Sequence, residues 1–460
     1  MIRENDTYIG EEEKMKAYEK NLTVGSELPA IVMFTLPMLA GNLFQQLYNV
    51  VDSVIVGKYL GSDALAAVGS TGSITYLFYT LCLGLGTGAG ILTAQHYGAG
   101  DDDRVKKTIV NSAYVIGGFA VAISIISVLA AKWLLTLLNT PASILDEAAG
   151  YMRISCAGTI AVAAYNWIAF ILRSLGDSRT PLIFLVVSSV LNVALDLLFV
   201  IPLGMGINGA ALATVLSQGV SAVASIIFAF AKNRFFRFSA EHTRLDRAIC
   251  GKCVKTGVPI ALQNAMISVS MISLQKTANG FGKNVMAAYT ASMRVEQLIQ
   301  QPYASLGSAM ATFTGQNYGA GKNERISRCY RRCTLLVLGF SLVMTALFLI
   351  FSEGIAGFFV SRRAVIEIAA KGLRINCLFY FFLGMIHLTR GLLNGIGDVN
   401  FALINGLCEV AGRIGFSLLL AKVLQIGCIS VWATTALTWL ITMLLCVARY
   451  FTSRSSRLSA

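Results

Sequence analysis

An eight-residue phrase occurs twice in this 460-residue chain, as TAQHYGAG from Thr93 and as TGQNYGAG from Thr314, and 314 − 93 = 221 residues separate the copies. The same interval links LGD at Leu175 to Asp177 with IGD at Ile396 to Asp398, and Gly206 with Gly427. It also links Gly61 with Gly282, each shortly before an Ala-Ala pair (Ala66-Ala67 and Ala287-Ala288). Matches at one spacing across nearly the whole chain mark a duplicated unit of roughly 220 residues. The two halves should therefore share one fold.

Composition says what kind of unit was duplicated. The chain is 55% hydrophobic and 13% charged, with a mean hydropathy of +0.67. Soluble proteins carry charge on roughly a quarter of their residues. Long apolar stretches such as Ala120 to Ala131, Ser188 to Ile201 and Cys333 to Phe351 are bounded by Gly, Pro or charge clusters. At about 20 residues per crossing of a ~30 Å hydrocarbon core, the sequence predicts about twelve transmembrane helices, six per repeat. They begin near Leu28, Leu65, Thr108, Ala148, Thr180 and Ile207, then near Thr256, Val285, Cys329, Val365, Val399 and Ile426. An even number of crossings makes both repeats enter the bilayer in the same direction. The expected fold is an all-α membrane protein of two six-helix bundles, related by a pseudo-twofold axis along the membrane normal. Its divisions are a tail over 1–27, an N-lobe over 28–231, a basic linker over 232–255, a C-lobe over 256–450 and a tail over 451–460.

A net charge of +13 could suggest nucleic acid, but the placement of the 37 Lys and Arg argues otherwise. With both termini and the linker on the cytoplasmic side, most basic residues fall in inner segments, above all Lys232 to Lys255 and Lys322 to Arg332. This is the positive-inside asymmetry of a multi-pass protein, here expected in a bacterial inner (plasma) membrane. The basic clusters read as topology signals in contact with anionic lipid, and no nucleic-acid partner is expected. Ten cysteines show no paired framework and read as small buried apolar residues, so no disulfide is expected. Cys250 and Cys253 form a CxxC, but structural zinc needs four ligands and no second pair completes the set. No metal or organic cofactor is expected, and nothing calls for a partner beyond a monomer. The N-terminus, with Glu11 to Glu13, lacks a signal-peptide pattern and reads as a polar tail.

Polar stripes inside the apolar segments point to function. In the first helix Asn42, Gln45 or Gln46, Asn49 and Asp52 recur every three or four residues, which places them on one face. Pro37, fifteen residues before Asp52, lacks a backbone donor and weakens the helix there. In the fifth helix Ser188, Asn192 and Asp196 stack, and in the sixth Thr214, Gln218 and Ser221 do likewise. A carboxylate at a helix centre costs about 2.5–3.5 kcal/mol on insertion scales, so Asp52 and Asp196 should face the bundle interior. Two acids in a dry interior can trade a proton or bind sodium, which is the chemistry of energy coupling. The competing reading of each acid is a packing hydrogen bond at a helix end.

The second repeat does not copy these acids. At the 221 interval Asn192 becomes Arg413 and Asp196 becomes Ser417. It carries instead Glu296 in the eighth helix, a Glu409/Arg413 pair four apart, and the polar positions Gln263, Asn264, Ser268 and Gln275. Glu409 and Arg413 are expected to neutralise each other. Glu296 has no charged neighbour at helical spacing and is the candidate for attracting a cationic substrate, with Gln45, Asn49, Asn264 and Gln300 as further substrate-binding candidates.

The run from Pro37 through YNVVDSVIVGKYLGSDALAAVG, the QHYGAG and QNYGAG phrases and the LRSLGD segment together resemble the multidrug and toxic compound extrusion (MATE) family, over about residues 28 to 450. The resemblance implies a secondary active multidrug efflux transporter that exports organic cations and amphipathic compounds against protons or sodium. It implies alternating access between two lobes. It also implies a cation or proton network at Asp52, Asn192, Asp196 and Thr214, with Pro37 as a hinge in helix one. The sequence departs from sodium-coupled members that bear acids on helices seven and ten, since Gln263, Asn264 and Leu383 lie near those positions. The alternative within the superfamily is a flippase for a lipid-linked saccharide, with Arg294, Arg374, Arg390 and Arg413 available for pyrophosphate. An enzyme is not expected: His96, His242 and His387 cannot supply HExxH, and GxSxG and Walker A motifs are missing. GMGING from Gly204 satisfies GxGxxG but lies between two membrane helices, where a tight turn is the better reading. Glycines at 84, 86, 88 and 90 read as close helix packing.

Overall fold

The computed structural model describes residues 20–138 and 140–454, apart from the side chains of Ser62, Leu65 and Ser73. The tails as far as residue 19 and from residue 455, including Glu11 to Glu13, lie outside the described residues. Every regular element among the described residues is helical. In chain order the helices are α1 (Glu27–Leu60), α2 (Ser62–Gly98), α3 (Asp102–Leu137), α4 (Leu145–Ala157), α5 (Thr159–Ser174), α6 (Arg179–Val200) and α7 (Gly206–Lys232). After a short turn at Arg234–Phe236 come α8 (Arg247–Gly280), α9 (Lys283–Gly319), α10 (Asn323–Gly357), α11 (Arg363–Cys377), α12 (Tyr380–Gly395), α13 (Asn400–Leu418) and α14 (Ser430–Ser453).

Among the described residues ten spans are long and apolar enough to cross a membrane, with α4 and α5 counted as one, and the pair α11 and α12, bent by 53°, makes an eleventh if the two are taken as one span. Helix α9 has the length, 37 residues, but carries Arg294, Glu296, Gln297, Gln300 and Gln301 along its course. It is the repeat partner of α2 at the 221 interval, and it is not among the spans apolar enough to cross, so the described residues give ten or eleven such spans where the sequence predicts about twelve. The largest displacement from the sequence-based starts is at α8, which begins at Arg247 rather than Thr256 and so shortens the linker.

The duplication is written into the turns. Gly61 and Gly282 have φ of +90° and +93°, Gly100 and Gly321 +72° and +69°, Gly176 and Gly397 +91° and +79°, and Gly206 and Gly427 +61° and +74°. Each pair is 221 residues apart. A fifth pair is Gly204 at +60° and Gln425 at +49°, the latter being the only non-glycine with positive φ among the described residues. This region is open to glycine because it lacks a Cβ. At the first YGAG, Gly100 N–H donates to Tyr97 O at 3.1 Å and Asp101 N–H to His96 O at 3.1 Å; at the second, Gly321 N–H donates to Tyr318 O at 3.1 Å and Lys322 N–H to Asn317 O at 2.8 Å. These turns close orphan carbonyls at the helix ends. GMGING is likewise a tight turn, closed by Met205 N–H on Phe199 O at 2.9 Å.

The chain forms two compact units, residues 36–261 with 20–22, and residues 262–454 with 23–35. The sequence-based boundaries at 28, 232 and 256 differ from these, because both divisions fall inside long helices. The first nine residues of α1 belong with the second unit, and α8 as far as Ala261 belongs with the first.

Within the first unit the alternating glycines of α2 let neighbours approach closely. A Cβ on Gly88 would sit 2.6 Å from Gly257 N, and one on Gly84 2.4 Å from Ala261 Cα. A Cβ on Gly86 would meet the Phe170 ring at 2.9 Å. The linker lies on α3: Asn111 Oδ1 accepts from Asp246 N–H at 2.7 Å, and Tyr114 OH donates to Thr243 O at 2.9 Å. Cys250 of the CxxC places Sγ 3.4 Å from Asn111 Oδ1. Within the second unit, Glu27 at the start of α1 is held by three guanidiniums of α10, from Arg332 at 2.8 Å, Arg328 at 3.1 Å and Arg325 at 3.7 Å.

Candidate functional site

In the first unit α1 brings Asp52, α6 brings Asn192 and Asp196 one turn apart, and α7 brings Thr214 and Gln218. Asp196 is fully buried, Asn192 almost so, and Asp52 and Thr214 are half-buried. Asn192 Nδ2 donates to Thr214 Oγ1 at 3.3 Å. The carboxyl groups of Asp52 and Asp196 lie within hydrogen-bonding reach of each other. Tyr48 and Tyr151 stand in the same electrostatic neighbourhood. All four residues that the resemblance singles out thus meet in one place.

The chemistry of this place follows from its donors, or rather their scarcity. Asp52 Oδ1, both carboxyl oxygens of Asp196, Asn192 Oδ1 and Gln218 Oε1 are buried without a donor from the protein. No Lys or Arg pairs with either acid among the described residues. Two ionised carboxylates offer only acceptors to each other, and like charges in a low-dielectric site repel strongly. The arrangement is satisfied when a proton sits on one carboxyl, which then donates to the other, or when a small cation takes the oxygens as ligands. Either occupant is an exchangeable positive charge.

The remaining first-unit candidates lie on α1. Gln45 and Asn49 are exposed, and Gln45 is within hydrogen-bonding reach of Tyr48. Pro37 is half-buried inside an uninterrupted helix, so the Met33 carbonyl lacks its usual i+4 donor.

The second unit is built differently. Glu296 of α9 is buried, and its carboxylate accepts a hydrogen bond from Asn376 Nδ2 of α11. Asn264 of α8 and Gln300 of α9 are half-buried. The expected Glu409/Arg413 pair is present, with Arg413 Nη2 3.8 Å from Glu409 Oε2, but it has a nearer third member: Arg390 Nη2 donates to Glu409 Oε1 at 2.7 Å. Arg390 also reaches Asn405 Oδ1 at 2.5 Å, Gln263 donates to the same oxygen at 2.7 Å, and Arg413 donates to Ser270 Oγ at 3.1 Å. Arg413 also acts electrostatically on Glu296, so that acid is not without a charged neighbour. The i+4 spacing picked out one partner; the nearer one lies 19 residues away on α12, and local periodicity carries no signal for it. Asn376 was missed for the same reason, being 80 residues from Glu296.

Comparison with known proteins bears on the family of the chain. The MatE family model matches residues 37–198 and 259–418, one match in each repeat. The chain is 29% identical to the probable multidrug resistance protein YpnP of Bacillus subtilis (strain 168) over 395 residues, covering 85% of this chain and 87% of that one. Among solved structures it is similar to a MOP superfamily transporter from Pyrococcus furiosus, for which reversed polarity of the binding pocket is taken to suggest a different function. There the TM-score is 0.89 at 25% identity, covering 97% of this chain and 99% of that one. A MATE structure in a bent conformation gives a TM-score of 0.88 at 26% identity, over 95% and 97% of the two chains. With the family model covering most of its length and each half keeping the same turns, the chain belongs to the MatE family of membrane transporters.

Proposed function

We propose that this transporter is a secondary active exporter of amphipathic and cationic compounds, driven by inward movement of protons or sodium. The observation that carries the reading is the Asp52–Asp196 pair, two inward-facing acids with no fixed cation among the described residues. The name of the Bacillus subtilis relative, a probable multidrug resistance protein, supports drugs as the class of substrate. Occupancy of the acid pair by the driving ion would bias the balance between inward-open and outward-open states, and Pro37 would let α1 bend in that change. Glu296, Gln45, Asn49, Asn264 and Gln300 would meet the substrate. The protein would work as a monomer in the bacterial inner membrane, with both termini in the cytoplasm.

The driving force bounds what such a cycle can do. One charge crossing 100 mV releases about 2.3 kcal/mol, and a tenfold proton gradient about 1.4 kcal/mol. Exchange of one proton for one monovalent cation moves no net charge, so only the pH gradient would drive it. The flippase alternative asks for a basic chamber, whereas Arg390 and Arg413 flank Glu409 and Arg374 stands 3.6 Å from Glu353. The test is a proteoliposome assay that imposes proton and sodium gradients separately while following a fluorescent organic cation. One of the two should drive accumulation; failure of both, together or apart, rejects ion-coupled export.

A further inference from the structure

We propose that the carboxy-terminal unit holds an anionic phospholipid at the start of α10, with the phosphate against Arg328 and Arg332 and an acyl chain along Leu335 and Leu342. The case begins with a charge count at one small place. Arg325, Arg328 and Arg332 converge on the single buried carboxylate of Glu27. Among the described residues the other acid in reach, Glu324, is 3.5 Å from Arg328 and 93% exposed. Positive charge is therefore in excess. The side chains of Arg328 and Arg332 are each 48% exposed, so both stay accessible while Glu27 and the helix fix their positions. Lys322 and Arg325 are tied elsewhere, to Thr23 O at 2.9 Å and to Gly25 O at 2.6 Å and Val24 O at 2.9 Å.

The same helix says what kind of anion fits. Arg328, Arg332, Leu335 and Leu342 recur at helical spacing and share one face. Leu335 is 68% and Leu342 61% exposed. On a membrane protein an exposed leucine stripe faces acyl chains, and the turn just before it lies at headgroup level. Guanidiniums bind phosphate through paired N–H donors. The other repeat supplies a control. At the 221 interval Arg325, Arg328 and Arg332 correspond to Arg104, Lys107 and Asn111. There Lys107 is neutralised by Asp103 at 2.8 Å and Glu241 at 3.1 Å, and Arg104 by Asp101 at 3.3 Å. At this place the first unit pairs Arg104 and Lys107 with separate acids, whereas in the second Arg328 and Arg332 share Glu27 and stay half-exposed.

The site is testable without any transport measurement. Purified protein in detergent is titrated with short-chain phosphatidylglycerol, short-chain phosphatidylcholine or inorganic phosphate, and thermal unfolding is followed, since a ligand of the folded state raises its midpoint. Phosphatidylglycerol should raise the midpoint and the other two should not. In R328Q/R332Q the apparent affinity should fall by roughly thirtyfold, the sum expected for two basic residues near an anionic surface. Glu27→Gln should strengthen the lipid effect, because it removes the carboxylate that competes for the same guanidiniums. Native mass spectrometry of the parent protein and of Glu27→Gln gives a second reading if the double variant does not fold, with retained phosphatidylglycerol expected to increase in Glu27→Gln. Equal response to phosphatidylcholine, an undiminished response in the double variant, or protection by phosphate alone would overturn the assignment.

Discussion

The interiors of the two units are built on one backbone plan and hold opposite solutions to the problem of charge in a membrane. Inside the first unit, Asp52 and Asp196 face each other without a basic partner among the described residues. At the corresponding place in the second, Asn192 is replaced by Arg413 and Asp196 by Ser417, and Ser417 Oγ is 2.7 Å from Thr277 Oγ1. Asp52 has its counterpart in Ser273. Where the first unit holds two acids with no basic partner among the described residues, the second carries its own cations, with Arg390 and Arg413 on either side of Glu409. Duplication preserved the turns and released the buried charges. A charge balanced in place has no need of exchange, so the ion-responsive half of the molecule should be the first.

That contrast can be broken most directly at the acid pair. Asp196→Asn and Asp52→Asn should each reduce ion-driven export to background while leaving protein levels unchanged, and efflux at the parent rate from either variant would refute the assignment. The next largest effect is expected on stability in the other unit. Glu409→Gln leaves two buried guanidiniums without their carboxylate and should cost about 3–5 kcal/mol, whereas combining it with Arg390→Gln should recover part of the loss. Unfolding midpoints in detergent would show this, and a neutral Glu409→Gln would mean the network is not a balanced ion set. Glu296→Gln should weaken export of cationic compounds more than of neutral ones of similar shape. Equal losses in paired transport assays would remove its role as a charge filter.

Two smaller predictions test how far the halves share their packing. Gly86 and Gly307 are repeat equivalents, but a Cβ on Gly307 would lie 2.5 Å from the His387 carbonyl oxygen while one on Gly86 meets a phenylalanine ring at 2.9 Å. Backbone yields less readily than a side chain, so Gly307→Ala should cost about 1–3 kcal/mol and Gly86→Ala less. The reverse order in thermal unfolding would show that the ring is the stiffer neighbour. The smallest effect belongs to Gln425, which stands where the first repeat has Gly204. Relief of ~1–2 kcal/mol of left-handed strain, set against ~0.4–1 kcal/mol of unfolded-chain entropy, gives Gln425→Gly a net gain of about 0.5 kcal/mol. A lower unfolding midpoint would show that the Gln425 side chain contributes more than its strained backbone costs.

Legibility in the sequence followed the range of the interaction. The repeat could be seen because each turn requires a residue that tolerates positive φ, and glycines recorded that need at a fixed interval. The acid pair could be anticipated because Asn192 and Asp196 share a helical face and the interior of a bilayer leaves an acid few other places. Contacts between helices were not legible. Nothing within a few residues of Glu409 points to Arg390, nothing near Glu296 points to Asn376, and nothing near Glu27 points to α10. The bend between α11 and α12 also escaped, since no proline marks it.

The clamp on Glu27 has a consequence for how the protein comes into being. Its arginine partners Arg328 and Arg332 follow it by 301 and 305 residues. At ~5–20 residues per second, a ribosome needs roughly 15–60 s to supply them. Throughout that interval the opening segment of the first helix is in the membrane, or at its edge, with an acid and no mate. The contact that fixes the start of α1 therefore closes only after α10 has been made, late in synthesis of the chain.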